Sequence, residues 1–213
     1  MDIGSKDKLI TAICTICADG TKLSPFIIYP GIRHTSTIEE SISIAEKIIG
    51  MDIGISKSES GWTNDAIAVK WLEKIFIPAV ATRNKPVILF LDGHHSHVTL
   101  EFLDKAEAMG VFIHFFPSHT THLLQPLDVA VFGPFKVKLG HLIENILQER
   151  APNGVITKDD FPVPFAHAFV QAFGYTNIVN GFYTTGTIYS GNQVYMDTND
   201  KIRYLAIQCS GNT

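Results

Sequence analysis

Between Pro86 and Asp92 the chain carries five consecutive apolar residues, Val87-Ile88-Leu89-Phe90-Leu91, and then stops abruptly at Asp92-Gly93. A short unbroken apolar run bounded by turn residues is the pattern of a strand covered on both faces, as in a parallel sheet with helices on either side. A second such run, Val111 to Phe116, ends at Pro117. Between the two, Phe102, Leu103, Ala106 and Met109 recur at helical spacing and Gly110 closes the helix. Strand, helix, strand implies a parallel crossover and an α/β fold. It also puts the carboxylate of Asp92 at the C-terminal end of a buried strand.

The remaining chain is read around that unit. Leu9 to Ala18, the turn Asp19-Gly20, and Leu23 to Tyr29 predict a β-hairpin, and Ile53 to Lys57 a short third strand. The Ser-, Ile- and Glu-rich stretch before Ile53 carries no clear period. Thr63 is a plausible N-cap for a helix through Ile67, Trp71, Leu72, Ile75 and Phe76 that ends at Pro78. Phe132, Phe135, Leu139, Leu142, Ile143 and Ile146 predict a long helix with Pro134 in its early turns and Asp128 near its head. Phe165, Phe169, Val170 and Phe173 predict another. Beyond Gly181 the sequence turns rich in Gly, Thr, Ser and Asn, so residues 186–213 are expected to be a loosely packed tail on one domain spanning residues 8–185.

With 213 residues, 46% of them hydrophobic, the chain can bury one sizeable core. No run approaches eighteen apolar residues and Met1 to Asp7 lacks the basic-then-apolar order of a secretory signal, so no membrane partner is expected. Three cysteines are too few and too odd in number for a disulfide framework, which favours a reducing compartment. Cys14 and Cys17 have the spacing of a zinc knuckle, but within a strand residues three apart point to opposite faces, and core filling is the expectation. A net charge of −4 is not the footprint of a stand-alone DNA-gripping domain. Clustered carboxylates in a site would themselves pull the balance acidic.

Asp92 and Asp128 are separated by a crossover unit that can return both carboxylates to one sheet edge, where hard oxygen donors suit Mg²⁺ or Mn²⁺. Both residues also suit ordinary work, Asp92 in a turn with Gly93 and Asp128 as a helix cap, and the residues alone leave the two readings open. Six of the nine histidines lie between His94 and His122. A mononuclear zinc hydrolase using His94 and His97 is therefore an alternative, beside the reading in which these histidines orient carboxylates or phosphates. Gly-rich nucleotide-binding loops are absent.

Several ordered words resemble one family: Ala18-Asp19-Gly20-Thr21-Lys22-Leu23-Ser24-Pro25, Ser60-Gly61-Trp62-Thr63, Leu91-Asp92-Gly93-His94-His95-Ser96-His97, and the long run from Pro117 to Phe132 that includes His122-Leu123-Leu124-Gln125-Pro126-Leu127-Asp128. Together with Asn177-Ile178 and Gly181-Phe182 they are similar to the DDE superfamily endonuclease domain of pogo/Tigger-type transposases, relatives of centromere protein B and jerky. The resemblance implies an RNase H-like mixed sheet flanked by helices, three acids holding two Mg²⁺ or Mn²⁺ ions, DNA as partner, and the nucleus as location. Asp92 matches the second acid and Asp128 the third, as catalytic and metal-binding residues. Their carboxylates are expected about 4–7 Å apart, around a shared ion with oxygen ligands near 2.1 Å. His94, His97, His122 and Gln125 are expected to support them or to contact substrate.

In that family the first acid lies on a strand preceding the segment matched by Leu9 to Ala18, so the sheet is expected to lack its first strand. The implied chemistry is phosphodiester hydrolysis followed by strand transfer, expected to be defective without the first ligand. An open strand edge would favour poor solubility and homo-oligomers. A non-catalytic protein associated with DNA or chromatin is the other expectation.

Overall fold

The computed structural model describes residues 9–31, 36–92, 99–117, 120–152, 154–187 and the backbone of 203–210. Among the described residues six strands, β1 (Thr11–Cys17), β2 (Phe26–Pro30), β3 (Gly54–Ser58), β4 (Val87–Leu91), β5 (Val111–Phe115) and β6 (Arg203–Ser210), form one mixed sheet in the order β3-β2-β1-β6-β4-β5. The hairpin is as predicted: β1 (Thr11–Cys17) and β2 (Phe26–Pro30) pair antiparallel, with Thr11 opposite Ile28. β3 (Gly54–Ser58) then pairs parallel to β2. The crossover is also as predicted, with β4 (Val87–Leu91) and β5 (Val111–Phe115) parallel and α4 (Leu100–Ala108) between them in sequence.

The sheet differs from expectation at its centre. β6 (Arg203–Ser210) lies between β1 and β4, antiparallel to the first and parallel to the second. The segment read as loose tail thus contains a strand in the middle of the sheet, and the open edge expected there is filled. The consecutive apolar residues Tyr204-Leu205-Ala206-Ile207 are compatible with such a central strand, but the polar Asn, Thr and Ser content of the stretch before them masks it.

Helices cover both faces. On one face α1 (Ser36–Ile49), α6 (Phe132–Glu149), α7 (Pro162–Ala172) and α8 (Tyr175–Thr184) pack over Cys14, Ile16, Ile27 and Tyr29. This core is largely aromatic: Phe135, Phe165, Phe169 and Phe173 form a chain of ring contacts with centroids 4.2–5.9 Å apart. On the other face α2 (Asp65–Trp71), a π turn (Leu72–Phe76), α3 (Ile77–Val80) and α4 pack over Ile13, Cys17, Phe26 and Ile28. Cys14 and Cys17 therefore belong to opposite faces, both buried.

Three local readings are corrected. The helix after Ser60 is capped by Asn64, whose side chain accepts from the Ile67 amide, and not by Thr63. It continues past Pro78, because the preceding π turn loosens the ladder and proline falls in the first turn of α3, where a missing N–H costs little. β5 is not buried on both faces: it is an edge strand with Phe112 64% exposed. In the Ser60-Gly61-Trp62-Thr63 word, Gly61 has φ +85° and the Leu9 carbonyl sits where a Cβ would be, so this word fixes a backbone contact.

Candidate metal-binding site

β4, β5 and β6 run parallel, so their C-terminal ends share one edge of the sheet. Crevices at such edges collect ligands in open α/β sheets because the strand ends deliver side chains from several loops to one place. Asp92 follows Leu91, the last residue of β4, and is half-buried. The Leu91 carbonyl accepts from the Phe116 amide at 3.0 Å, tying the exit of β5 to this corner. From there the chain passes α5 (Thr121–Leu124) into a second π turn, Leu127–Val131, whose second residue is Asp128.

That turn is anchored from below. Leu127 and Val131 are fully buried in the aromatic core, Gln125 is fully buried just before them, and the Gln125 carbonyl accepts from both the Asp128 and Val129 amides at 3.1 Å. Asp128 itself is half-buried. The turn packs against β6 and α8. Asp92 thus ends the strand on one side of β6, while Asp128 rides on a turn resting against β6 itself. π turns inside helices recur at functional sites because the extra residue re-aims a side chain. This one carries the residue singled out by motif.

The other expected residues are placed separately. His122 is exposed on α5, and Gln125 lies in the interior, from where it supports the turn and does not reach solvent. His94 and His97 lie outside the described residues. Among the described residues no three His, Cys, Asp or Glu side chains come together. Asp92 and Asp128 are both half-buried, and a carboxylate oxygen is the kind of ligand that suits Mg²⁺ or Mn²⁺. β6, Arg-Tyr-Leu-Ala-Ile-Gln-Cys-Ser, brings no carboxylate to the strand beside Asp92.

The word beginning Asp19-Gly20-Thr21-Lys22 proves structural. Asp19 accepts from the Thr21 amide and hydroxyl and forms an ion pair with Arg83 at 3.0 Å. Lys22 donates to the Phe173 carbonyl at 2.9 Å and lies over the Phe169 ring, its pKa lowered by burial. Arg83 carries no signal in the sequence, and α8 is marked there by motif but not by a helical pattern. Arg83 sits in a turn, and α8 was hidden by its Thr, Asn and Gly content.

The family model for DDE superfamily endonucleases matches residues 6–172. The chain is 34% identical over 184 residues to the MFS-type transporter clz9 of Cochliobolus lunatus, covering 84% of this chain and 19% of that protein. It is 25% identical over 130 residues to the human Pogo transposable element with ZNF domain, covering 61% of this chain and 8% of the relative. To the human Pogo transposable element with KRAB domain it is 30% identical over 131 residues, covering 61% and 20%. The chain therefore spans a fifth or less of the length of these curated relatives. No solved structure matches it. Among the described residues no helix is long and apolar enough to cross a membrane.

Proposed function

The chain belongs to the DDE superfamily endonuclease family, and from that premise we propose that it acts on DNA in the nucleus as a transposase-derived domain that cleaves phosphodiesters and transfers strands with Mg²⁺ or Mn²⁺. The observation that carries this reading is the position of Asp92 at the shared C-terminal edge of three parallel strands, with the Asp128 turn packed on the neighbouring strand. Transport is not carried over from the fungal relative's name, because the family matched over residues 6–172 is one of nucleases.

Asp92 and Asp128 would hold the divalent ion. When bound, such an ion activates an attacking oxygen and neutralises charge on the leaving one. The chain's own contribution is placement: β4 fixes Asp92 through a ladder on both sides, and the buried Leu127 and Val131 fix the turn that carries Asp128. The half-exposed setting of both carboxylates leaves a path for a nucleic-acid backbone. His122, exposed on α5, is assigned to orienting phosphate oxygens; the same role is proposed for His94 and His97 on the motif that contains them.

A second reading, a domain that associates with DNA without cutting it, is favoured by one specific feature: β6 pairs with the strand that leads to Asp92 and contains no acid, and among the described residues no three His, Cys, Asp or Glu side chains come together. Two-ion chemistry with two carboxylates is weak chemistry. The test is a plasmid-nicking assay with Mg²⁺ or Mn²⁺ on the wild type, Asp92→Asn and Asp128→Asn. Cutting lost at least about 100-fold in either variant supports the nuclease reading. DNA binding with no cutting selects the second. Absence of both sinks the assignment to DNA.

A further inference from the structure

α8 lies beyond the family-matched segment, yet it is the element against which the Asp128 turn rests. Its buried face is Ile178, Gly181 and Phe182, the i, i+3, i+4 spacing of one helix side. Gly181 meets the turn at backbone distance. A Cβ there would stand 2.7 Å from the Pro126 carbonyl oxygen and 3.3 Å from the Ala130 Cβ. Pro126 has little room to yield, since it is buried and its neighbours Gln125 and Leu127 are fully buried.

The exit of α8 adds a second tie. The Thr185 hydroxyl donates to the Thr187 hydroxyl at 2.7 Å. Thr187 donates to the Leu124 carbonyl at 3.3 Å. Thus α8 and its exit touch the backbone of Leu124 and Pro126, four and two residues before Asp128. A π turn has poorer hydrogen-bond geometry than an α-helix and depends on its surroundings to persist.

We infer that Gly181 is a positioning residue for Asp128: it lets α8 approach the Leu127–Val131 turn closely enough to fix where the carboxylate stands. The inference rests on the reading of Asp128 as a metal ligand. Adding one methyl group at 181 moves Pro126 and the turn by several tenths of an ångström or more, and shifts the Asp128 carboxylate without removing a donor.

The experiment titrates Mn²⁺ alone into the whole chain, followed by electron paramagnetic resonance, with thermal unfolding measured in metal-free buffer. Wild type is compared with Asp128→Asn, Gly181→Ala and Ile178→Val. Supporting structure around a ligand is worth about 10-fold or more in metal affinity. Gly181→Ala is therefore expected to weaken Mn²⁺ about 10-fold, while Ile178→Val, which thins the packing of the same helix, lowers the melting temperature and leaves affinity unchanged. If Asp128→Asn does not alter Mn²⁺ binding, the metal-ligand reading itself fails. If Asp128→Asn abolishes binding but Gly181→Ala behaves like Ile178→Val, the positioning inference alone is overturned. Should Gly181→Ala not fold, Thr187→Val decides: weaker Mn²⁺ at an unchanged melting temperature supports the inference, and unchanged affinity overturns it.

Discussion

Leu91, the last residue of β4, pairs with Ile207 of β6 in a parallel ladder, and on the other side of the same strand Thr15 of β1 pairs with Ile207 antiparallel. A strand more than a hundred residues beyond both its neighbours in sequence thus joins the sheet's halves. Without it the β3-β2-β1 half and the β4-β5 half share no ladder.

Backbone disruption of β6 should accordingly unfold more than a terminus. Ala206 pairs with Ile16 on one side and Phe90 on the other, so proline at 206 removes a donor in the sheet's interior. Ala206→Pro is expected to destabilise by about 3 kcal/mol or more. Circular dichroism melting would show a broadened, lowered transition. A melt indistinguishable from wild type would mean that β6 does not hold the halves together.

How much of this was legible beforehand depends on the kind of signal. Val87 to Leu91 and Val111 to Phe115 were readable because unbroken apolar runs bounded by Gly or Pro leave few alternatives. α1 was not: its buried stripe, Ile38, Ile42, Ala45 and Ile49, has helical spacing, but the exposed Ile44 and the interspersed serines blur that period. β6 and the π turn at Asp128 are tertiary facts: the first depends on partners far away in sequence, and the second on α8 pressing against it. The place of Asp92 at the end of β4 was legible from the abrupt stop of the apolar run, whereas Asp128 was singled out by its motif and not by any strand or helix signal. Gly181 stood out only as part of a motif; its close approach to Pro126 was not legible, because a glycine's role there is defined by what approaches it.

Cys14 and Cys17 differ by an odd number of positions in one strand and enter separate cores, each 1% exposed. In a Cys209→Ser background the native protein should therefore react slowly with a thiol reagent and fully only when unfolded. Zinc should not change its melting temperature. Fast labelling of both thiols, or one zinc bound in a cysteine-dependent way, would contradict the strand geometry.

Asp160 accepts from Arg150 through both guanidinium nitrogens, at 2.6 and 2.9 Å, and from the Thr157 amide and hydroxyl at 2.8 and 2.9 Å. These donors, Arg150 first, hold its carboxyl well below the usual carboxylate range. A lowered folded pKa gives stability that is present above the unfolded value, near about 3.9, and is lost as pH falls through the folded one. Asp160→Asn should melt about 2–4 °C lower at pH 7, a modest effect because Arg150 is half exposed. The gap should close as pH drops below about 4. A gap that stays constant with pH would show that the ion pair is not its source.

The last prediction concerns the two carboxylates as a pair. If Asp92 and Asp128 share an ion, then in its absence two like charges stand at close range, and each disfavours the other. Removing one should relieve that repulsion, so Asp128→Asn in metal-free buffer is expected to melt at or above the wild-type temperature, opposite to the usual effect of a point substitution. Adding Mn²⁺ reverses the order. A ligand at about 100 times its dissociation constant stabilises the folded state by about 2.7 kcal/mol, which the wild type gains and the variant does not. In a domain of this size that corresponds to a rise of about 5–10 °C, readable by fluorescence melting across a Mn²⁺ series. Asp92→Asn should behave as Asp128→Asn does, because either substitution leaves a single carboxylate. Variants that melt below wild type without metal, yet still rise with Mn²⁺, would show that the two carboxylates neither repel nor share an ion.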